Sequence, residues 1–216
     1  RCRDVRDCPF CGEFNGNAVS KNAAAGVQIS GKCVVSFQKN IISQGREDGV
    51  LFTDEAQGIA MTQNTINKNN FAGVRLTGGS NPILRDNSII ANQTNGIEVC
   101  ENSTGTIESC KIIENEQAGL DIISGGNPAV TSNFFQHNTV GIHVAEDGRG
   151  LITDNEIKGN VDAGVEVETQ GHPVVRNNRI FDGQGIGVLV RDEAAGMFDE
   201  NGIFNNLMAG VQVSKY

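Results

Sequence analysis

The chain has 216 residues, a formal net charge of −9 at pH 7, 27 glycines, four prolines and no tryptophan. Its sequence pI of about 4.8 argues against a nucleic-acid-binding protein, whose surface would be basic. No apolar run reaches the roughly 18 residues that a membrane-spanning helix requires. We therefore expect neither a nucleic-acid partner nor a membrane partner.

Residues 1–11 come before the regular pattern of the chain begins. Their cysteines are Cys2, Cys8 and Cys11, and the spacing of the last two resembles half of a zinc knuckle. No second pair of cysteines and no histidine follows at ligand spacing, which favours an irregular segment or a partial first coil over a zinc site. We predict no metal site and no cofactor for the chain.

From residue 12 to residue 216 the sequence repeats, and the clearest unit is a tetrad of the form Gly-apolar-x-apolar. Successive tetrads begin 22 to 24 residues apart, at Gly26, Gly49, Gly73, Gly96, Gly119, Gly141, Gly164, Gly187 and Gly210. A second motif, apolar-x-x-Asn-x-apolar, keeps the same period. Its central residues are Asn17, Asn40, Asn64, Asn87, Cys110, Asn133, Asn155, Asn178 and Asn201.

These short apolar segments predict an all-β fold, a single-stranded right-handed parallel β-helix of about nine coils of ~23 residues over residues 12–216. A helical solenoid would need longer stretches with helical periodicity, and the leucine ladder of a leucine-rich repeat is missing. Equivalent residues stack from coil to coil, so the asparagines are expected to form structural ladders. Because the chain stops directly after the ninth tetrad, we also expect it to be a fragment of a longer protein.

The third position of each tetrad faces outward, and in five consecutive coils it is charged or titratable. These residues are Arg75, Glu98, Asp121, His143 and Glu166, which we predict to form a binding surface. In an enzymatic alternative, Asp121 and Glu166 lie about 9–10 Å apart, the separation of an inverting glycosidase. His143 would then act as acid or base, and Arg75 would neutralise a uronate carboxylate.

Two considerations favour binding or plain surface over catalysis. The column could be a solvated ladder in which Arg75 pairs with Glu98, and His143 with Asp121 or Glu166. Sugar-processing grooves usually stack sugar rings on aromatic side chains, yet the chain lacks tryptophan and its single tyrosine is Tyr216. The sequence therefore predicts no catalytic residue in its main interpretation.

A longer period of about 46 residues is superimposed on the repeat, because two kinds of loop follow the tetrads in alternate coils. One kind contains proline, as in residues 78–82 (GGSNP), 125–128 (GGNP) and 171–173 (GHP). The other is acidic and ends in glycine, as in residues 100–105 (CENSTG), 145–150 (AEDGRG) and 191–196 (RDEAAG). The acidic loops are either soluble turns or an edge that attracts a basic peptide or Ca²⁺.

This two-coil alternation resembles the β-helix of F-box-only ubiquitin-ligase substrate receptors, within the wider group of carbohydrate-binding and sugar-hydrolase-type β-helix repeats. The resemblance implies a non-enzymatic, intracellular recognition domain in the cytoplasm or nucleus, whose partner is a protein substrate or adaptor. The alternative is a secreted, carbohydrate-active β-helix protein, a polysaccharide lyase, epimerase or hydrolase, that uses the face from Arg75 to Glu166.

Overall fold

The computed structural model describes residues 11–215, which form a parallel β-helix of about nine coils. This confirms the predicted fold class. Each coil has three flat faces joined by corners, and no helix occurs within these residues. The same residues accordingly contain no helix long and apolar enough to cross a membrane. The predicted irregular segment and the zinc hypothesis fall on residues 1–11 and lie outside the described residues, except that the first strand begins at Cys11.

The three faces, here called A, B and C, are each a ladder of parallel strands. Face A carries the tetrads: β7 (Val74–Leu76), β10 (Ile97–Val99), β13 (Ala118–Ile122), β16 (Val140–Val144), β19 (Ala163–Val167), β22 (Ile186–Val190) and β25 (Val211–Val213). Face B follows it: β1 (Cys11–Asn15), β8 (Asn81–Arg85), β11 (Thr106–Glu108), β14 (Ala129–Thr131), β17 (Leu151–Thr153), β20 (Val174–Arg176) and β23 (Met197–Asp199). Two long strands, β3 (Val27–Gln38) and β5 (Val50–Thr62), run through both faces.

Face C is a separate sheet of nine short strands. They are β2 (Ala18–Ser20), β4 (Ile41–Ser43), β6 (Thr65–Asn67), β9 (Ser88–Ile90), β12 (Lys111–Ile113), β15 (Phe134–Gln136), β18 (Glu156–Lys158), β21 (Arg179–Phe181) and β24 (Gly202–Phe204). The middle residue of most of these strands points inward and is buried, as Ile42, Ile89 and Phe135 show. Together with the inward residues of faces A and B, such as Phe52 and Ile107, they fill a continuous apolar interior.

Stacked asparagines hold the corners, as the repeat predicted. Asn133 is representative: its Nδ2 donates to Oδ1 of Asn155 at 3.0 Å and to the carbonyl of Ile107 at 2.8 Å. Its own Oδ1 accepts from the backbone N–H of Cys110 at 2.9 Å. Each side chain therefore satisfies buried backbone groups that no strand reaches.

The two-coil alternation has its origin in packing between neighbouring coils. Strand register places Gly105 beside Pro82, and Gly150 and Gly196 occupy the same position beside Pro128 and Pro173. A Cβ on Gly105 would lie 3.0 Å from the carbonyl oxygen of Pro82, and φ of Gly105 is +130°, a conformation that favours glycine. Glycine is thus favoured beside each of these prolines by its positive φ and by the nearby carbonyl oxygen of the neighbouring coil, so part of the alternation that carried the F-box resemblance has a structural cause.

Candidate functional site

The five predicted site residues lie on consecutive strands of face A, as the tetrad spacing predicted. Glu98 is in register with Arg75 on one side and with Asp121 on the other. His143 is in register with Asp121 and with Glu166. All five side chains are in outward positions, because the apolar residues that flank each of them point into the core.

His143 and Asp121 form a close pair at the centre of this column. Nδ1 of His143 lies 2.7 Å from Oδ1 of Asp121, and the two side chains are only 22% and 14% exposed. Nε2 of His143 lies 3.4 Å from Oε1 of Glu168. Burial alone would lower the pKa of His143, but the hydrogen bond to Asp121 and the charges of Asp121, Glu166 and Glu168 raise it above its ordinary value.

Arg75 is held between two carboxylates at the start of the column. Its Nε lies 3.3 Å from Oδ2 of Asp48, and its Nη2 lies 3.5 Å from Oε2 of Glu98. Oδ1 of Asp48 accepts the backbone N–H of Ala72 at 3.0 Å, which fixes the carboxylate at the corner before the strand. Burial raises the pKa of Asp48 in spite of the neighbouring Arg75.

Asn95 connects the two halves of the column. Its Nδ2 donates to Oδ2 of Asp121 at 3.0 Å and lies 3.4 Å from Oε2 of Glu98. Its Oδ1 accepts the backbone N–H of Ala118 at 3.0 Å. Because Asn95 is buried and bonded in both directions, it fixes the orientation of the Asp121 carboxylate.

Arg191 closes the other end of the column with three carboxylates. Its Nε and Nη2 donate to Oε1 of Glu166 at 3.0 and 2.9 Å, and Nη2 also pairs with Glu168. Its Nη1 lies 3.4 Å from Asp192. The expected pairs of Arg75 with Glu98 and of His143 with Asp121 are present, within a longer network than the sequence suggested.

Asp48, Asn95, Glu168 and Arg191 were missed by the sequence analysis. Glu168 and Arg191 lie two residues beyond the third position of their tetrads, so a strand extended by two residues would have placed them on the same face. Asp48 and Asn95 immediately precede a tetrad glycine, at a corner where alternation no longer tells which way a side chain points.

A shallow cleft of about 320 Å³ opens beside the middle of the column. Its walls include Asp121, His143 and Glu166 from the predicted set, together with Glu116, Gln117 and Thr139. Arg75 and Glu98 do not line it. The structure therefore brings three of the five predicted residues to one concave surface. Arg75 lies outside this surface and forms ion pairs with Asp48 and Glu98.

The acidic loops on the alternate coils bind their neighbours. A carboxylate oxygen of Glu101 accepts from the hydroxyl of Thr77 at 2.6 Å and from the N–H of Gly78 at 3.2 Å, and Glu146 accepts from the hydroxyl of Ser124 at 2.8 Å. Among residues 11–215, no group of three or more histidine, cysteine, aspartate and glutamate side chains is arranged to hold a metal ion. These contacts favour the interpretation of the loops as structural turns, in preference to an edge that binds Ca²⁺.

Comparison with known proteins places the fold in a family. Residues 9–133 and 84–216 match a family model described as the right handed beta helix region. No curated protein sequence matches the chain. The alginate lyase from Paenibacillus sp. str. FPU-7 has a similar structure, with a TM-score of 0.70 and 16% identity over 90% of this chain and 79% of that one.

Two further similar structures are A-modules of mannuronan C-5 epimerases from Azotobacter vinelandii. AlgE4 gives a TM-score of 0.67 at 14% identity over 91% of this chain, and AlgE6 gives 0.64 at 16% identity over 94%. The chain spans 57% and 58% of those two modules. At these identities the likeness establishes the fold alone, and none of these findings supports the F-box resemblance.

Proposed function

Because the chain belongs to the right-handed β-helix family, we propose that face A is a carbohydrate-processing surface, with its reaction site in the cleft beside His143. The similar structures are a lyase and two epimerases whose names give polysaccharides as substrates, alginate and mannuronan. They favour the carbohydrate-active alternative over protein recognition. A domain of this kind that acts on an extracellular polysaccharide would be secreted.

The observation that carries the proposal is the pair of His143 and Asp121 at the wall of the cleft, with Glu166 on the next strand. Asp121 orients the imidazole through Nδ1 and stabilises its charged form. Once a substrate displaces Glu168, which lies 3.4 Å from Nε2, that nitrogen would give a proton to a glycosidic oxygen or, when neutral, accept one from a sugar carbon. Asp121 and Glu166 are two strands apart, ~9.6 Å between backbones by strand spacing, and His143 lies on the strand between them.

Sugar binding in this cleft would rest on hydrogen bonds instead of ring stacking. No phenylalanine, tyrosine or tryptophan is among the residues that line it, whereas Gln117, Thr139 and Glu116 offer amide, hydroxyl and carboxylate groups for sugar hydroxyls. The scarcity of aromatic side chains, which favoured a non-catalytic interpretation of the sequence, therefore does not leave the cleft without sugar-binding groups.

The protein-recognition function is less well supported. It rests on the two-coil alternation, in which the glycines beside the prolines are favoured by backbone conformation and by close carbonyl contacts between coils. No contact or patch among the described residues of face A singles out an adaptor or a protein substrate, and both arginines of the column already have partners within the chain.

A panel of purified polysaccharides with neutral, acidic and amino sugars would test the proposal. New reducing ends would report hydrolysis, ultraviolet absorbance of an unsaturated product would report elimination, and proton NMR would report epimerisation. Asp121→Asn and His143→Gln should each lower turnover by about 10²-fold or more. Asp86→Asn, which removes an exposed charge on a distant corner, is the matched control. Absence of turnover and of binding across the panel would refute the proposal.

A further inference from the structure

The charges of the column do not balance. Apart from Asp192, which is 36% exposed beside Arg191, five carboxylates oppose only two arginines, Arg75 and Arg191. These five are Asp48, Glu98, Asp121, Glu166 and Glu168, and together with the arginines they carry −3 when His143 is neutral and −2 when it is charged. The side chains of these carboxylates are between 11% and 22% exposed, so solvent screens them less than it screens ordinary surface charges.

Both arginines of the column already have carboxylate neighbours. Arg75 is engaged by Asp48 and Glu98, and Arg191 is engaged by Glu166, Glu168 and Asp192. To bind a uronate or a sulfate, either guanidinium would have to leave carboxylates that are partly buried, and those carboxylates would then face the anion unpaired.

The lining of the cleft is also acidic, and Glu116 adds a carboxylate that the column does not contain. Glu116, Asp121 and Glu166 lie in its walls, and its nine lining residues include neither lysine nor arginine. The side chain of Glu116 is exposed, and Gln117 and Thr139 lie close by as groups for hydroxyls. A chain of sugars in this cleft would therefore meet three carboxylates and no basic side chain of the lining apart from His143 when that ring is charged.

We infer that the substrate of face A is a polysaccharide that carries positively charged amino groups, and not a polyuronate. This inference rests on the proposed function of face A. A cationic chain gains from every unbalanced carboxylate of the column and displaces no existing ion pair. A polyuronate would meet repulsion along the same path. This assigns the site a substrate class opposite in charge to the alginate and mannuronan named for the similar structures.

Isothermal titration calorimetry with oligomers of equal length separates the possibilities. The ligands are oligomers of glucosamine, of N-acetylglucosamine and of mannuronate, titrated at low and high salt at a mildly acidic pH where the amines are charged. The mannuronate oligomer is titrated both with EDTA and with added Ca²⁺. Glu116→Gln should weaken binding of the glucosamine oligomer by about threefold or more, whereas the control Asp86→Asn should leave it unchanged.

The inference predicts that the glucosamine oligomer binds most tightly and loses affinity as salt increases. Tighter binding of the mannuronate oligomer, with or without Ca²⁺, would overturn the inference while leaving the proposed function in place. Equal affinity for the charged and the N-acetylated oligomers would also overturn it. Failure of all three oligomers to bind would overturn the inference, whereas the proposed function would be overturned only if the wider polysaccharide panel also showed neither binding nor turnover.

Discussion

Cys110 interrupts the asparagine ladder, and replacing it with asparagine should stabilise the β-helix. Elsewhere the backbone N–H and Nδ2 of one asparagine both donate to Oδ1 of the next, as Asn64 does to Asn87 at 2.9 and 3.0 Å. Asn87 instead directs its Nδ2 to Sγ of Cys110 at 3.9 Å, and that sulfur reaches the carbonyl of Leu84 at 3.6 Å. Sulfur is a weak partner in both contacts.

Asparagine at position 110 would supply a full acceptor for Asn87 and a full donor for Leu84. Each neutral hydrogen bond contributes about 0.5–1.5 kcal/mol net, and the two new bonds replace only weak interactions of the sulfur. The free energy of unfolding should therefore rise by roughly 1–3 kcal/mol. At this chain length a gain of that size raises Tm by roughly 3–10 °C. Urea denaturation and calorimetry would measure both quantities.

The control is Cys110→Ala, which removes the sulfur without supplying either group. Because residue 110 is 1% exposed, that change leaves a buried carbonyl and a buried N–H poorly satisfied, and it should cost about 1–3 kcal/mol. If Cys110→Asn were no more stable than the parent chain, the hydrogen bonds of the ladder would not be a source of stability for the coils.

Close backbone approach, the titration of His143 and the burial of Cys110 each give a further prediction. Gly119→Ala places a Cβ 2.7 Å from the carbonyl oxygen of Gly141 and should lower the free energy of unfolding, measured by urea denaturation, by about 1–3 kcal/mol. In the control Gly202→Ala the nearest atom to the new Cβ is 3.8 Å away, so the free energy of unfolding should change by under about 0.5 kcal/mol. The pKa of His143 is raised in the folded state, so its charged form stabilises the protein fully below pH 6.5. This stability is lost as pH rises through the folded-state pKa. His143→Gln should therefore flatten the dependence of the unfolding free energy on pH above 6.5. Burial raises the pKa of Cys110 to about 11, so maleimide at neutral pH should label this residue in urea but not in the native protein, as peptide mass mapping would reveal.

The period of the sequence was sufficient to predict the fold, because a constant interval sets both the strand register and the side-chain direction. Arg75, Glu98 and Asp121 are aligned on neighbouring strands as their equivalent positions in the tetrads require. The same interval predicted the asparagine ladders, including the position at which Cys110 replaces asparagine. Both features depend on residues at equivalent positions of successive coils, which the period of the repeat identifies directly.

The ion-pair network of the site could not be predicted in the same way, because it depends on residues that break the repeat. Asp48 and Asn95 lie at corners before their strands, and Arg191 lies beyond the tetrad, so no column of equivalent positions contains them together with His143. In the sequence, Arg75 could neutralise a uronate or pair with Glu98. In the structure, Arg75 lies between Asp48 and Glu98, so the pairing is present and includes a second carboxylate. The ion pairing on this solenoid face is therefore set by lateral contacts at its corners as well as by the outward column.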